Sequence, residues 1–238
     1  FAQHFGRALV ARGFSWFDAE PAPQGLGEKA VANYNYGVFS ARTGNIYTTS
    51  LLLQWTRWAL NMDVPPDEFW ETDNGRVVDP FRPVIEPEGF TTATEMRDNR
   101  ALALESFART IRDSNMFVFT LGLTESWWHL NEAGATDYEY PMCPGTAAGS
   151  FNPTRHHFEN QEYETIRRNL EAAISAMRTA NPELKIMLTV SPVPLTATNS
   201  GRHVLTATME SKSILRAVAG SIARAHDFVD YFPSYEII

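Results

Sequence analysis

The densest polar set in the sequence follows one of its most apolar runs. Met116-Phe117-Val118-Phe119-Thr120-Leu121 leads into Gly122-Leu123-Thr124-Glu125-Ser126-Trp127-Trp128-His129, which holds a glycine, two hydroxyls, a carboxylate and an imidazole. Such groups can do chemistry together: an imidazole or a carboxylate moves a proton, and a hydroxyl donates or accepts a hydrogen bond. A second apolar run, Lys185–Val190, empties into Ser191-Pro192-Val193-Pro194, whose prolines make a rigid exit. Ligands of open parallel sheets bind beyond the carboxyl ends of the strands, so Gly122, Thr124, Glu125, His129 and Ser191 are candidates. Their plainer roles are a helix cap for Thr124, a first-turn carboxylate for Glu125 and a packed or solvated imidazole for His129.

Three other features invite chemistry. His203, in Ser200-Gly201-Arg202-His203, lies after the exit of the second run and is the other histidine placed to act as a base. Cys143, in Cys143-Pro144-Gly145, reads as a pocket wall or a small buried residue. His156-His157 with Glu159 and Glu162 suggests a metal site, but adjacent histidines point apart and no His-x-x-x-His spacing supports them. A solvated helix entry is the reading there, and no metal is expected.

The elements that must position these groups follow from periodicity. The two apolar runs predict strands buried on both faces, as in a parallel sheet covered by helices. Amphipathic stretches over 94–114, 160–180 and 206–225 predict the covering helices, with Asn181-Pro182 ending the second. A helix is expected over 48–60, another over 1–13, and weaker strands over 30–38 and 228–232. Alternating strands and helices predict an α/β fold, a three-layer α/β/α sandwich with a mostly parallel sheet. Two proline- and glycine-rich insertions, 61–92 and 130–158, break the alternation; their aromatic residues suggest ordered lids.

Composition narrows the function. Among 238 residues, 20 Lys and Arg stand against 28 Asp and Glu, a formal charge of −8, which argues against nucleic-acid partners. No stretch approaches the roughly 18 apolar residues that a membrane span needs. The single cysteine suits a reducing, cytoplasmic setting. One domain over 1–238 is expected, incomplete at both ends, because a helix is already in progress at Phe1.

Several blocks, taken together, resemble the GSCFA family. They are Gln3-His4 with Gly6-Arg7-Ala8-Leu9, Ala19-Glu20-Pro21-Ala22-Pro23, Ser40-Ala41-Arg42-Thr43-Gly44-Asn45-Ile46-Tyr47, Thr120-Leu121-Gly122-Leu123-Thr124-Glu125, Cys143-Pro144-Gly145, Thr189-Val190-Ser191-Pro192-Val193-Pro194-Leu195 and Asp230-Tyr231-Phe232-Pro233-Ser234-Tyr235-Glu236. Phe1-Ala2 stands where the family motif continues after Gly-Ser-Cys. The resemblance implies a flavodoxin-like fold of the SGNH (GDSL-like) hydrolases, with the nucleophile turn just upstream of Phe1 and an Asp-x-x-His beyond Ile238. It implies an oxyanion role for Gly44, beside Asn45, with Gly37 in Asn35-Tyr36-Gly37 as the alternative, and brings in Lys212, since Ser211-Lys212 recurs in the family. Gly122-Leu123-Thr124-Glu125 takes the place of a Gly-x-Asn-Asp block, with Thr for Asn and Glu for Asp; a threonine hydroxyl donates one hydrogen bond where an asparagine amide donates two. The implied function is a serine esterase or O-acyltransferase acting on a small-molecule or glycan acyl ester, without a cofactor. The alternative on the same fold is a noncatalytic module that binds carbohydrate or a partner.

Overall fold

The computed structural model describes residues 2–237. Seven helices and eight strands are present among them. In chain order they are α1 (Ala2–Ala11), α2 (Glu28–Asn33), α3 (Thr49–Ala59), β1 (Trp70–Glu71), β2 (Val77–Val78), α4 (Ala93–Arg112), β3 (Met116–Leu121), β4 (Glu125–Leu130), β5 (Thr136–Tyr140), β6 (His156–Asn160), α5 (Tyr163–Ala180), β7 (Lys185–Val190), α6 (Val204–Ala225), β8 (Val229–Phe232) and α7 (Ser234–Ile237).

The two apolar runs become β3 and β7, and with β8 they form a parallel sheet in the order β3-β7-β8. Register pairs Phe117 with Ile186, Phe119 with Leu188 and Leu121 with Val190. Ile186, Leu188 and Val190 are almost wholly buried with Ile166, Leu170 and Ile174 of α5 and Leu215, Val218 and Ile222 of α6, in one apolar cluster. On the opposite face Phe5 of α1 packs on Phe232 at 5.3 Å, and Ser234 of α7 bonds Thr189 and Val190. Helices thus cover both faces, and the fold is the expected α/β/α sandwich. Local signals set the helix ends: Thr48 accepts from Leu51 N at 3.1 Å, Thr92 accepts from Glu95 N at 3.1 Å, and Asn181 donates to Ile111 O and Ser114 O at the end of α4.

Three local expectations are corrected. The strand over 30–38 is instead α2 followed by left-handed residues, Asn35 at φ 57 and Gly37 at φ 67; Glu28-Lys29-Ala30 favour a helix, and positive φ ends any extended run. The plainer roles of Thr124 as a helix cap and Glu125 as a first-turn carboxylate do not hold, because Glu125–Leu130 is a strand. The segment 130–158 is not irregular throughout: it contributes β5 and the start of β6, which flank β4 in an antiparallel sheet ordered β5-β4-β6.

Segment 61–92 is anchored by a buried ion cluster. Asp79 accepts from Arg82 Nε at 2.9 Å and Arg100 Nε at 3.1 Å, all three nearly inaccessible to water. Burial alone would raise the Asp79 pKa, but the two guanidinium groups outweigh it and hold the carboxyl below its usual range.

Candidate functional site

Two loops meet beyond the carboxyl ends of β3 and β7. Tyr47 O accepts from both Gly122 N at 2.9 Å and Leu123 N at 3.1 Å, which ties loop 40–47 to the exit of β3. A glycine is required at 122: a Cβ there would lie 2.9 Å from Tyr47 Cδ1 and 3.3 Å from Tyr47 O. Beside it, Ser191 N donates to Leu121 O at 2.9 Å, so the second strand exit lies next to the first. Gly44, Asn45, Gly122 and Ser191 consequently line one cleft of about 650 Å³. Gly44 sits at φ 69 with open space around it, a conformation that a side chain would strain.

Loop 40–47 is held from behind. Arg42 N donates to Glu20 Oε2 at 2.8 Å, Arg42 Nε to Tyr34 O at 2.8 Å and Arg42 Nη2 to Glu86 Oε1 at 2.8 Å. Arg82 Nη1 reaches Arg42 O at 3.3 Å, so the Asp79 cluster also braces the backbone two residues before Gly44. Nothing in the sequence pairs Arg42 with partners so far along the chain.

Beneath the strand exit lies Lys212 of α6, buried, with Nζ donating to Gly122 O at 2.8 Å. Burial pushes its ammonium down to about 8. A second buried set runs alongside. Thr124 donates to Asn160 Oδ1 at 2.7 Å, and Thr124 O accepts from Gln161 N at 2.8 Å. Gln161 Nε2 donates to Ser50 at 2.6 Å, and Thr48 donates to Glu139 Oε1 at 2.5 Å. Burial pushes the Glu139 carboxyl up to about 8, so it is largely protonated at neutral pH. Glu139 and Gln161 escape a reading of the sequence because a glutamate amid Tyr138 and Tyr140 has the alternation of a solvated face. Here that face packs toward α3, where Gln54 Nε2 donates to Glu139 O at 2.9 Å.

The other candidates lie apart from the cleft lining. Glu125 accepts from Thr198, tethering the chain that follows β7 to the start of β4. His203 caps α6, its Nδ1 accepting from Leu205 N at 3.3 Å. That bond puts the neutral ring's proton on Nε2, where it opposes a general base. His129 stacks on Tyr138 with ring centroids 4.4 Å apart, within an aromatic group in which Tyr138 and Tyr140 donate to Glu68. Desolvation is the main cause lowering its pKa, which favours the neutral ring. Cys143 lies in a turn, and burial pushes its thiol up, away from reactivity. His156 is buried and His157 exposed, on opposite faces of β6. Among the described residues no group of three or more His, Cys, Asp or Glu side chains could hold a metal ion, and no helix is long and apolar enough to cross a membrane.

Comparison with curated proteins and with solved structures gives no match. A family model does match, and it spans the blocks that build the cleft, from loop 40–47 through the exits of β3 and β7 to α7: over residues 1–238 the chain belongs to the GSCFA family.

Proposed function

We propose that the protein acts on acyl esters, as a hydrolase or an O-acyltransferase of the SGNH type, with the acyl carbonyl held between loop 40–47 and the exit of β3. The observation that carries this reading is the paired bond from Gly122 N and Leu123 N to Tyr47 O, which brings Gly44, Asn45, Gly122 and Ser191 to one cleft at the carboxyl end of a parallel sheet. Gly44 N–H and the Asn45 amide serve as oxyanion donors. Thr124 acts behind them through Asn160, and Lys212 holds the Gly122 carbonyl. The nucleophile is a serine or cysteine immediately upstream of Phe1, and the base lies beyond Ile238, as the family resemblance implies. The substrate is a small-molecule or glycan ester, no cofactor takes part, and the single cysteine suits a cytoplasmic setting.

A second reading has its own observation. The Thr124 hydroxyl is committed to Asn160 and the His203 Nδ1 to a helix cap, which suits a noncatalytic module binding carbohydrate or a partner in the same cleft. Hydrolysis of p-nitrophenyl acetate by the protein extended at both ends separates the two. Catalysis predicts turnover that falls about tenfold or more in Gly44→Ala with the fold retained, since a misplaced oxyanion donor costs about that much or more. No turnover by the folded, extended protein would favour the binding module.

A further inference from the structure

The exit of β3 leads directly into β4, and one face of the β5-β4-β6 sheet that begins there carries a polar and aromatic patch. Glu125 stands opposite Asn160, and Trp127 opposite Phe158, across β4 and β6. Paired residues share a face, as do residues two apart along a strand, so these four side chains lie together. The patch starts beside the cleft: Thr124, two residues after Gly122, donates to Asn160 Oδ1 at 2.7 Å.

Its polar half keeps hydrogen-bonding capacity of both kinds. The Thr124 hydroxyl occupies Asn160 Oδ1, which orients the amide and leaves both N–H groups of Nδ2 without a partner among the described residues. Glu125 Oε1 accepts from Thr198, in the chain that follows β7, while Oε2 takes no hydrogen bond from the described residues. Both Glu125 and Asn160 are half-buried. A carboxylate oxygen that accepts, beside an amide nitrogen that donates, matches neighbouring hydroxyls, each of which does both. The other half is aromatic. The Trp127 ring centroid lies 5.2 Å from that of Phe158 and 5.7 Å from that of Phe151, and Phe151 is 48% exposed. Aromatic faces are electronegative and attract the C–H groups on one side of a sugar ring. Two strand residues separate the halves by roughly 7 Å, the span of one ring with its hydroxyls.

We propose that Glu125, Asn160, Trp127, Phe158 and Phe151 form a subsite for a neutral sugar ring. It holds the alcohol side of the ester while the acyl carbonyl lies between loop 40–47 and Gly122, and it rests on the ester reading for that carbonyl alone. Two other ligand classes fit less well. An acyl chain would strip water from Glu125 and Asn160 and return no hydrogen bond. An acidic sugar would meet the Glu125 carboxylate in a patch that holds no cation, on a chain with a formal charge of −8.

The test is a titration of the protein, extended at both ends, with neutral tetrasaccharides of glucose, mannose, galactose and N-acetylglucosamine. NMR of the Trp127 indole N–H and the Asn160 side-chain amide reads binding without turnover. At least one sugar should shift both signals to saturation. Asn160→Asp keeps the acceptor for Thr124 and deletes both N–H donors, and Glu125→Gln keeps the shape without the charge; each should weaken binding about tenfold or more. Phe151→Ala, at an exposed position, should weaken it about threefold to tenfold. The proposal is overturned if the folded protein binds none of the four sugars, if both isosteric variants bind as the parent does, or if a glucuronate-containing tetrasaccharide binds more tightly than the neutral ones. Sugar binding without ester turnover would reject the chemistry and keep the subsite, and turnover of p-nitrophenyl acetate without sugar binding would do the reverse.

Discussion

Gly122 has the least freedom of any residue at the site. Its backbone donates to Tyr47 O, its carbonyl accepts from Lys212, and no Cβ fits beside Tyr47. Gly122→Ala should destabilise the protein by about 1–3 kcal/mol through overpacking. Tyr47→Ala in the same chain should return part of that loss, because it removes the nearest atom; additive urea midpoints across the double-mutant cycle would contradict the contact. Glu139 allows a test by pH. Its folded pKa of about 8 lies above the ordinary carboxyl value of 4.5, so the native state binds the extra proton. Stability from that proton is fully present below about 4.5 and is lost as pH rises through about 8. Glu139→Gln keeps the shape without the charge, so its stability relative to the parent should climb from pH 5 to pH 8.5. Parallel denaturation curves across that range would place Glu139 in contact with water or an unseen cation.

At the scale of elements, segment 61–92 acts as a brace for loop 40–47. Asp79→Asn leaves Arg82 and Arg100 without their buried counter-charge, and should cost about 3–5 kcal/mol in chemical denaturation. Ester turnover should fall with it, because Arg82 also holds Arg42 O behind Gly44. A loss under roughly 1 kcal/mol would mean that the arginines find other partners. This brace was invisible in the sequence, where the segment showed only prolines, glycines and a turn signal. β3 and β7 were readable because strands buried on both faces are continuously apolar. β5 and β6 were not: Thr136–Tyr140 mixes acids with tyrosines, and its Glu139 is buried by contacts with residues over eighty positions away. The longer helices were readable from their apolar period; α2, whose six residues bury none of their side chains, and the four-residue α7 were not.

For the molecule as a whole, the sequence placed Gly44 and Asn45, Gly122, and Ser191 in three separate blocks, and the fold brings them to one cleft. It leaves His129 and Cys143 outside that cleft's lining, for reasons no spacing rule carries: His129 is drawn into an aromatic group with Tyr138, and Cys143 into a turn. The central claim is that this cleft surrounds a reactive hydroxyl or thiol at the carboxyl end of the sheet. The measurement that tests it most directly is labelling of the protein, extended at both ends, with a fluorophosphonate, followed by peptide mapping, with the protein beginning at Phe1 as control. The account predicts a single label within the few residues before Phe1, lost in Gly44→Ala and absent from the control. A folded, extended protein that takes no label, or takes it away from the cleft, would contradict it.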